Sequence, residues 1–254
     1  MKVVVIIPAA GLGTRMSAAA AKKGKKAPAP TKQFVELNGV PILVHTLRKF
    51  LQSPQVAEIF LALRKAEAEQ FKPALDKELR SHAGKKTVQV VEGGEHRQQS
   101  VANALAKVKA APDDVILVHD AVRPFVDNDI IASVIAGAQK HGAAIAGVPA
   151  VDTIKQVDRT AEGAIVSSTI PRERVVQAQT PQGFRYDVLK KAFDDAQAAG
   201  FLGTDEASLV ERMGQSVAVV MGSPKNIKIT TPDDLELAEF FVSQEDRRRS
   251  SLTG

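Results

Sequence analysis

The chain has 254 residues, 44% of them apolar, enough to bury a full core in one α/β-sized domain. Its net charge of +5 suits the handling of anions, but only 4% of residues are aromatic, with no Trp and one Tyr, which argues against a nucleic-acid partner that stacks bases. No cysteine is present, which excludes disulfides and thiolate metal sites, and the apolar run after Met1 stops at Pro8, too short for a signal peptide or a membrane span. A cytoplasmic protein with no membrane partner is expected.

Short β-branched runs at 3–7, 56–63, 88–91, 115–118 and 143–148 alternate with stretches of helical spacing, the signature of βαβ units. Val101, Leu105 and Val108 form one apolar stripe, and Ile130, Ile131, Val134 and Ile135 another; both suit the cover of a mostly parallel sheet. After Pro149 the rhythm changes. Residues 151–157, 165–168 and 175–179 read as strands without helices between them, an inserted β-arm over about 150–180. A helix near 186–199, strands at 217–221 and 227–230 and a closing helix follow. Thr231, Pro232 and Asp234 supply that helix with an N-cap, a first-turn proline and a capping-box carboxylate. Residues 17–30, rich in Ala, Lys and Pro, read as a flexible surface loop and 246–254 as a flexible tail, leaving 1–245 as a single domain.

The first strand runs into Pro8-Ala9-Ala10-Gly11-Leu12-Gly13-Thr14-Arg15-Met16, a glycine-containing loop at the carboxyl end of a parallel strand, where open α/β sheets bind ligands. Small residues there let backbone N–H groups approach phosphate oxygens. A dinucleotide fingerprint needs a glycine where Met16 stands, and a P-loop needs Lys followed by Ser or Thr after its second glycine, so both patterns fail. Arg15 inside the loop and Lys32 beyond it are cations suited to neutralising a polyphosphate. A tight turn with no ligand is the lesser alternative for the loop taken alone.

The run 8–16, followed by Lys32-Gln33-Phe34, resembles the signature of sugar-phosphate nucleotidyltransferases, in which the loop wraps a nucleoside triphosphate and the Arg and Lys act on its phosphates. Thr31 stands where that pattern has proline, and residues 17–30 are longer and richer in Lys than is typical of it. A second strand ends in His119-Asp120-Ala121-Val122-Arg123-Pro124, putting a carboxylate and a guanidinium at the same sheet edge. This segment resembles the corresponding motif of methylerythritol phosphate cytidylyltransferases. The resemblance implies Asp120 as the ligand of a Mg²⁺ ion completed by phosphate oxygens and Arg123 as a binder of substrate phosphate; from the sequence alone Arg123 could pair with a surface carboxylate. His119 reads better as a histidine bonded to backbone than as a ligand.

Between these loops lies Glu92-Gly93-Gly94-Glu95-His96-Arg97-Gln98-Gln99-Ser100. By itself it is a turn opening a helix. The resemblance makes Gly94, Glu95 and Ser100 recognise cytosine, and Pro8, Ala9, Ala10, Gly11 and Gly13 line the nucleotide; family members often carry Asp where Glu95 stands. Asp152-Thr153-Ile154-Lys155 and Gln179-Thr180-Pro181-Gln182 are similar to the same family's arm, which swaps across a homodimer. By carry-over Thr153, Arg172 and Thr180 contact the acceptor phosphate, although an ordinary surface salt bridge would also account for Arg172. Lys228, in Asn226-Ile227-Lys228-Ile229-Thr230, matches the family lysine that reaches the reacting phosphates, where composition suggests only a strand lysine. Thr204-Asp205-Glu206-Ala207 also matches, but a helix N-cap explains it.

The resemblance runs from about residue 2 to 242. It implies a Rossmann-like α/β fold with a dimerising β-arm and transfer of a cytidylyl group from CTP to a polyol phosphate, 2-C-methyl-D-erythritol 4-phosphate, with Arg15, Lys32 and Lys228 as the catalytic cations. A ribitol 5-phosphate enzyme would share the nucleotide half, and a non-catalytic nucleotide-binding regulator would share the glycine loop.

Overall fold

The structure, a computed structural model, describes residues 1–11, 31–82, 84 and 86–252. Its strands are β1 (Val3–Pro8), β2 (Glu36–Leu37), β3 (Val40–Pro41), β4 (Glu58–Leu63), β5 (Thr87–Glu92), β6 (Val115–Val118), β7 (Ala143–Pro149), β8 (Ile154–Thr160), β9 (Gly163–Ile170), β10 (Val176–Arg185) and β11 (Ala218–Met221). The helices are α1 (Ile42–Gln52), α2 (Lys65–His82), α3 (Arg97–Leu105), α4 (Asn128–His141), α5 (Tyr186–Ala198), α6 (Glu206–Arg212) and α7 (Pro232–Leu252).

Seven strands form one sheet in the order β11-β7-β10-β6-β1-β4-β5, parallel except for β10, which runs antiparallel between β6 and β7. β1, β4 and β6 lie at its centre, and their unbroken Val/Ile/Leu runs are what strands covered on both faces require. Alternate residues of β1 point opposite ways. Val3, Val5 and Ile7 pack with Leu47 and Phe50 of α1, Phe71 of α2 and Val134 of α4, while Val4 and Ile6 pack with Val101 of α3, Leu189 of α5 and Leu209 of α6. Each fully buried side chain of this kind contributes about 1.5–3 kcal/mol. A third cluster joins the β2–β3 hairpin to α7 through Leu37, Phe125, Ile229 and Ala238, with Phe125 edge-on to Phe241.

Three expectations change. Residues 175–179 are not a third strand of the arm; 176–179 start the ten-residue β10, whose pairing with β7 shifts register between Ala178 and Gln182. Pro181 lies inside that shift and has no N–H to give a ladder. Residues 227–230 are not a strand; Ile229 N–H donates to the Val122 carbonyl in the loop after β6 instead of joining the sheet. Residues 246–252, read as a tail, lie in α7, which runs on to Leu252; Gln, Glu and Arg are good helix formers. Its start is as expected: Asp234 accepts from the backbone of Thr230 and Thr231 at 2.8 Å each, and Thr231 caps in return.

The arm proper is the β8–β9 hairpin, paired only with itself among the described residues and exposed along its length. The predicted surface loop 17–30 lies outside the described residues. Among the described residues no helix is long and apolar enough to cross a membrane.

Candidate active site

The site forms at the carboxyl ends of β1, β4, β5 and β6. Beyond β1 the chain is pinned at successive peptides: Ala9 N–H donates to Ala62 O, Gln33 Nε2 to Ala9 O at 2.7 Å, and Arg64 Nε to Ala10 O at 2.8 Å. Gln33, 1% exposed, stood in the quoted motif without a role of its own and Arg64 in no motif, yet together they fix the peptide planes of this loop. Lys32 begins a short 3-10 turn whose Phe34 packs on Phe71 of α2, and Thr31 just before it donates to Glu67. Gly13 and Arg15 lie outside the described residues.

The turn after β5 leans on that loop. A Cβ on Gly93 would overlap the Cβ of Ala10, and one on Gly94 would overlap Gln99, so the glycines are needed for contact with the protein itself. Ser100 is buried; its hydroxyl accepts from Gly94 N–H at 3.0 Å and donates to His96 O at 3.1 Å. Glu95 N–H is capped by Gln99. The serine thus shapes the turn from within α3.

Asp120 sits after β6, 6% exposed, ringed by three cations. Lys228 Nζ is 2.9 Å from Oδ2, Arg123 Nε 3.3 Å from Oδ2 and Arg97 Nε 3.2 Å from Oδ1. Burial opposes ionisation of Asp120, yet the charges of Arg97, Lys228 and Arg123 outweigh it and hold the carboxyl well below the usual range. The backbone is fixed as well: Asp120 N–H donates to Thr180 Oγ1 at 3.0 Å, and wholly buried His119 lies between Thr180 and the Arg123 carbonyl. Arg123 also donates to Asn226 O at 2.6 Å, which ties the Lys228 segment to the Asp120 loop.

Sequence reasoning missed the pair behind this ring. Both carboxylate oxygens of Glu206, 1% exposed, accept from Arg97 Nη1, at 2.7 and 2.8 Å. Asp205 is the N-cap that its motif suggested, in a capping box with Ser208, but Glu206 beside it turns inward to the site.

Pro8, Ala9, Ala10, Gly11, Lys32, Gly94, Glu95, Ser100, Asp120 and Lys228 thus meet around one cavity of about 120 Å³, with Arg97 and Gln33 in its wall. Arg123 and Thr180 touch Asp120 from beneath. Thr153 and Arg172 are elsewhere, at the root of the hairpin; Arg172 donates to Val151 O. A cleft walled by backbone amides, small residues and cations is suited to a polyphosphate.

The model of the IspD family, 2-C-methyl-D-erythritol 4-phosphate cytidylyltransferase, matches residues 3–244. The chain belongs to this family. Similar relatives bearing the same cytidylyltransferase name are a protein of Acidobacterium capsulatum, 54% identical over 98% of this chain and 100% of its own, and one of Solibacter usitatus, 51% identical over 100% of both. The crystal structure of 4-diphosphocytidyl-2C-methyl-D-erythritol synthase from Anaerococcus prevotii superimposes with a TM-score of 0.78 at 28% identity, covering 95% of this chain and 96% of that one. The Rossmann-like sheet is therefore that of the IspD enzymes.

Within this IspD chain the fit to a divalent cation rests on Asp120. Among the described residues no three His, Asp or Glu side chains gather as a metal site. Among the described residues Asp120 lines the cavity and its Oδ1 accepts one hydrogen bond, from Arg97, where a carboxylate oxygen can accept two. That donor set fits a hard ion bound by one protein oxygen and otherwise by phosphate oxygens and water.

Proposed function

We propose that the protein transfers the cytidylyl group of CTP to 2-C-methyl-D-erythritol 4-phosphate, giving 4-diphosphocytidyl-2-C-methyl-D-erythritol and pyrophosphate. The observation that carries this reading is the Asp120 carboxylate, ringed by Arg97, Arg123 and Lys228 beside the loop after β1. A phosphate oxygen of the acceptor attacks the α-phosphorus of CTP. The bond to the bridging oxygen of the β-phosphate breaks, and pyrophosphate leaves. A phosphate anion needs no general base, so catalysis is positioning and charge neutralisation.

Arg15, Lys32 and Lys228 neutralise the reacting phosphates in this reading. Pro8, Ala9, Ala10, Gly11 and Gly13 line the triphosphate, while Gly94, Glu95 and Ser100 select cytosine. Asp120 would hold Mg²⁺, which when bound supplies further positive charge to the phosphates. Arg123 and Thr180 serve the acceptor phosphate from beside Asp120, and Thr153 and Arg172 reach it from the arm of a second copy. A homodimer is supported by the hairpin: a two-stranded ribbon alone is marginal in water, and Ile165 and Val166 are 64% and 56% exposed. The setting proposed is the cytoplasm.

Pyrophosphate release by purified protein with Mg²⁺ tests this, comparing CTP with ATP, GTP and UTP, and methylerythritol 4-phosphate with ribitol 5-phosphate. Turnover with CTP and methylerythritol phosphate is expected. Preference for ribitol phosphate would overturn the acceptor, and no release with any pair would overturn the enzyme in favour of a binding role.

A further inference from the structure

Glu206 is a carboxylate 1% exposed, absent from the cavity wall, and bonded through both oxygens to a guanidinium that faces the cavity. It is set firmly from two sides. Gln98 of α3 donates to Phe201 O at 3.0 Å and accepts from Gly203 N–H at 2.9 Å. Gln182 of β10 donates to Asp205 Oδ2 at 2.7 Å and accepts from Ala207 N–H at 3.1 Å. The segment bearing Glu206 is thus clamped by the side chains of Gln98 and Gln182.

Arginine prefers to clasp a carboxylate with two parallel N–H bonds. Here Arg97 gives Nη1 to Glu206 and meets Asp120 by Nε only, at 3.2 Å. We propose that Glu206 is a positioning residue that draws Arg97 off Asp120, so that the arginine steadies Oδ1 with a single bond and leaves that oxygen open to a divalent cation. The inference rests on the reading of Asp120 as the metal carboxylate. Without Glu206 the guanidinium is free to turn its fork onto Asp120 and compete with the ion.

The test is CTP binding by calorimetry across a Mn²⁺ series, with free Mn²⁺ followed by electron paramagnetic resonance. In Glu206→Gln the Mn²⁺ concentration for half-maximal CTP binding is expected to rise roughly 10- to 100-fold, the range typical of lost support behind a metal ligand. Binding of CTP without metal should change less than about threefold, since no phosphate contact is removed. Glu206→Asp, which keeps the charge on a shorter stem, should give a smaller rise. The double variant Arg97→Gln/Glu206→Gln removes the competitor, leaves no unpaired buried charge, and should return the Mn²⁺ requirement toward that of the unmodified protein.

A Glu206→Gln protein that melts earlier yet keeps its Mn²⁺ requirement would make the residue purely structural and overturn the proposal. So would a double variant as impaired as the single one. If Asp120→Asn abolishes the Mn²⁺ dependence while Glu206→Gln leaves it unmoved, the inference fails and the reading of Asp120 stands. If the unmodified protein binds CTP without regard to Mn²⁺, both fail together.

Discussion

The hydroxyl of Thr180 and Nδ1 of His119 lie 3.1 Å apart in a buried chain that fixes which ring nitrogen carries the proton. His119 Nε2 is 3.0 Å from the Arg123 carbonyl, which can only accept, so the proton is on Nε2. Nδ1 then accepts from the threonine, whose oxygen in turn receives Asp120 N–H. The neutral ring is built into the floor beneath Asp120.

Burial is the main force on that ring, pushing its pKa down to about 4. The unfolded chain therefore binds more protons than the folded one between about pH 6.5 and 4, and the stability due to neutral His119 is lost as pH falls through that window. From pH 7 to 5 the loss is about 2 kcal/mol. Urea midpoints at the two pH values should separate less in His119→Gln than in the unmodified protein; equal separation would mean that the histidine does not drive the loss.

Lys228 reaches Asp120 with a side chain still 36% exposed, so it can meet both the carboxylate and a phosphate. Lys228→Ala and Lys32→Ala should each lower kcat by about 10²–10³-fold, the scale for removing one donor to developing charge. CTP affinity from calorimetry should change far less. An unchanged turnover number would strip the residue of its assigned part.

Gly93 and Ala10 are in contact where the loop after β1 meets the turn after β5. Gly93→Ala is expected to cost about 1–3 kcal/mol by overpacking and to weaken CTP binding with it. Adding Ala10→Gly removes the opposing methyl and should restore both. Urea denaturation and a CTP titration on the two variants read this out, and failure of the rescue would locate the damage elsewhere.

Ile165 and Val166 are exposed on the hairpin although both are β-branched and apolar. Ile165→Glu and Val166→Glu should shift sedimentation toward monomer and lower turnover without changing the urea midpoint of the monomer. A dimer undisturbed by both charges would remove the arm from the interface.

Much of the framework was legible because its signals are local. Strands buried on both faces need continuous apolar runs, and the runs at 3–7 and 115–118 lead directly to the loop after β1 and to Asp120. β10 was truncated in the reading because Pro181 punctuates it, and Ile227 to Thr230 was over-read because alternating apolar residues also fit an extended loop over Val122.

The Arg97–Glu206 pair was illegible for a different reason. Its members are 109 residues apart, and no spacing rule links a helix start after β5 to a helix start after α5. Glu206 beside a good N-cap reads as first-turn helix charge, which it also is. Only its burial and its two bonds from Arg97 in the folded chain reveal that it faces inward.

Assembly of this cleft waits on nearly the entire polypeptide. Its hydrogen bonds close loops of 60 residues from Asp120 to Thr180 and 109 from Arg97 to Glu206, the distant closures that make folding slow. The described cleft residues are drawn from the span between Pro8 and Lys228, so a nucleotide bound there is expected to stabilise the molecule as a unit. Its ligation should slow hydrogen exchange across the central strands as well as in the loops that touch it.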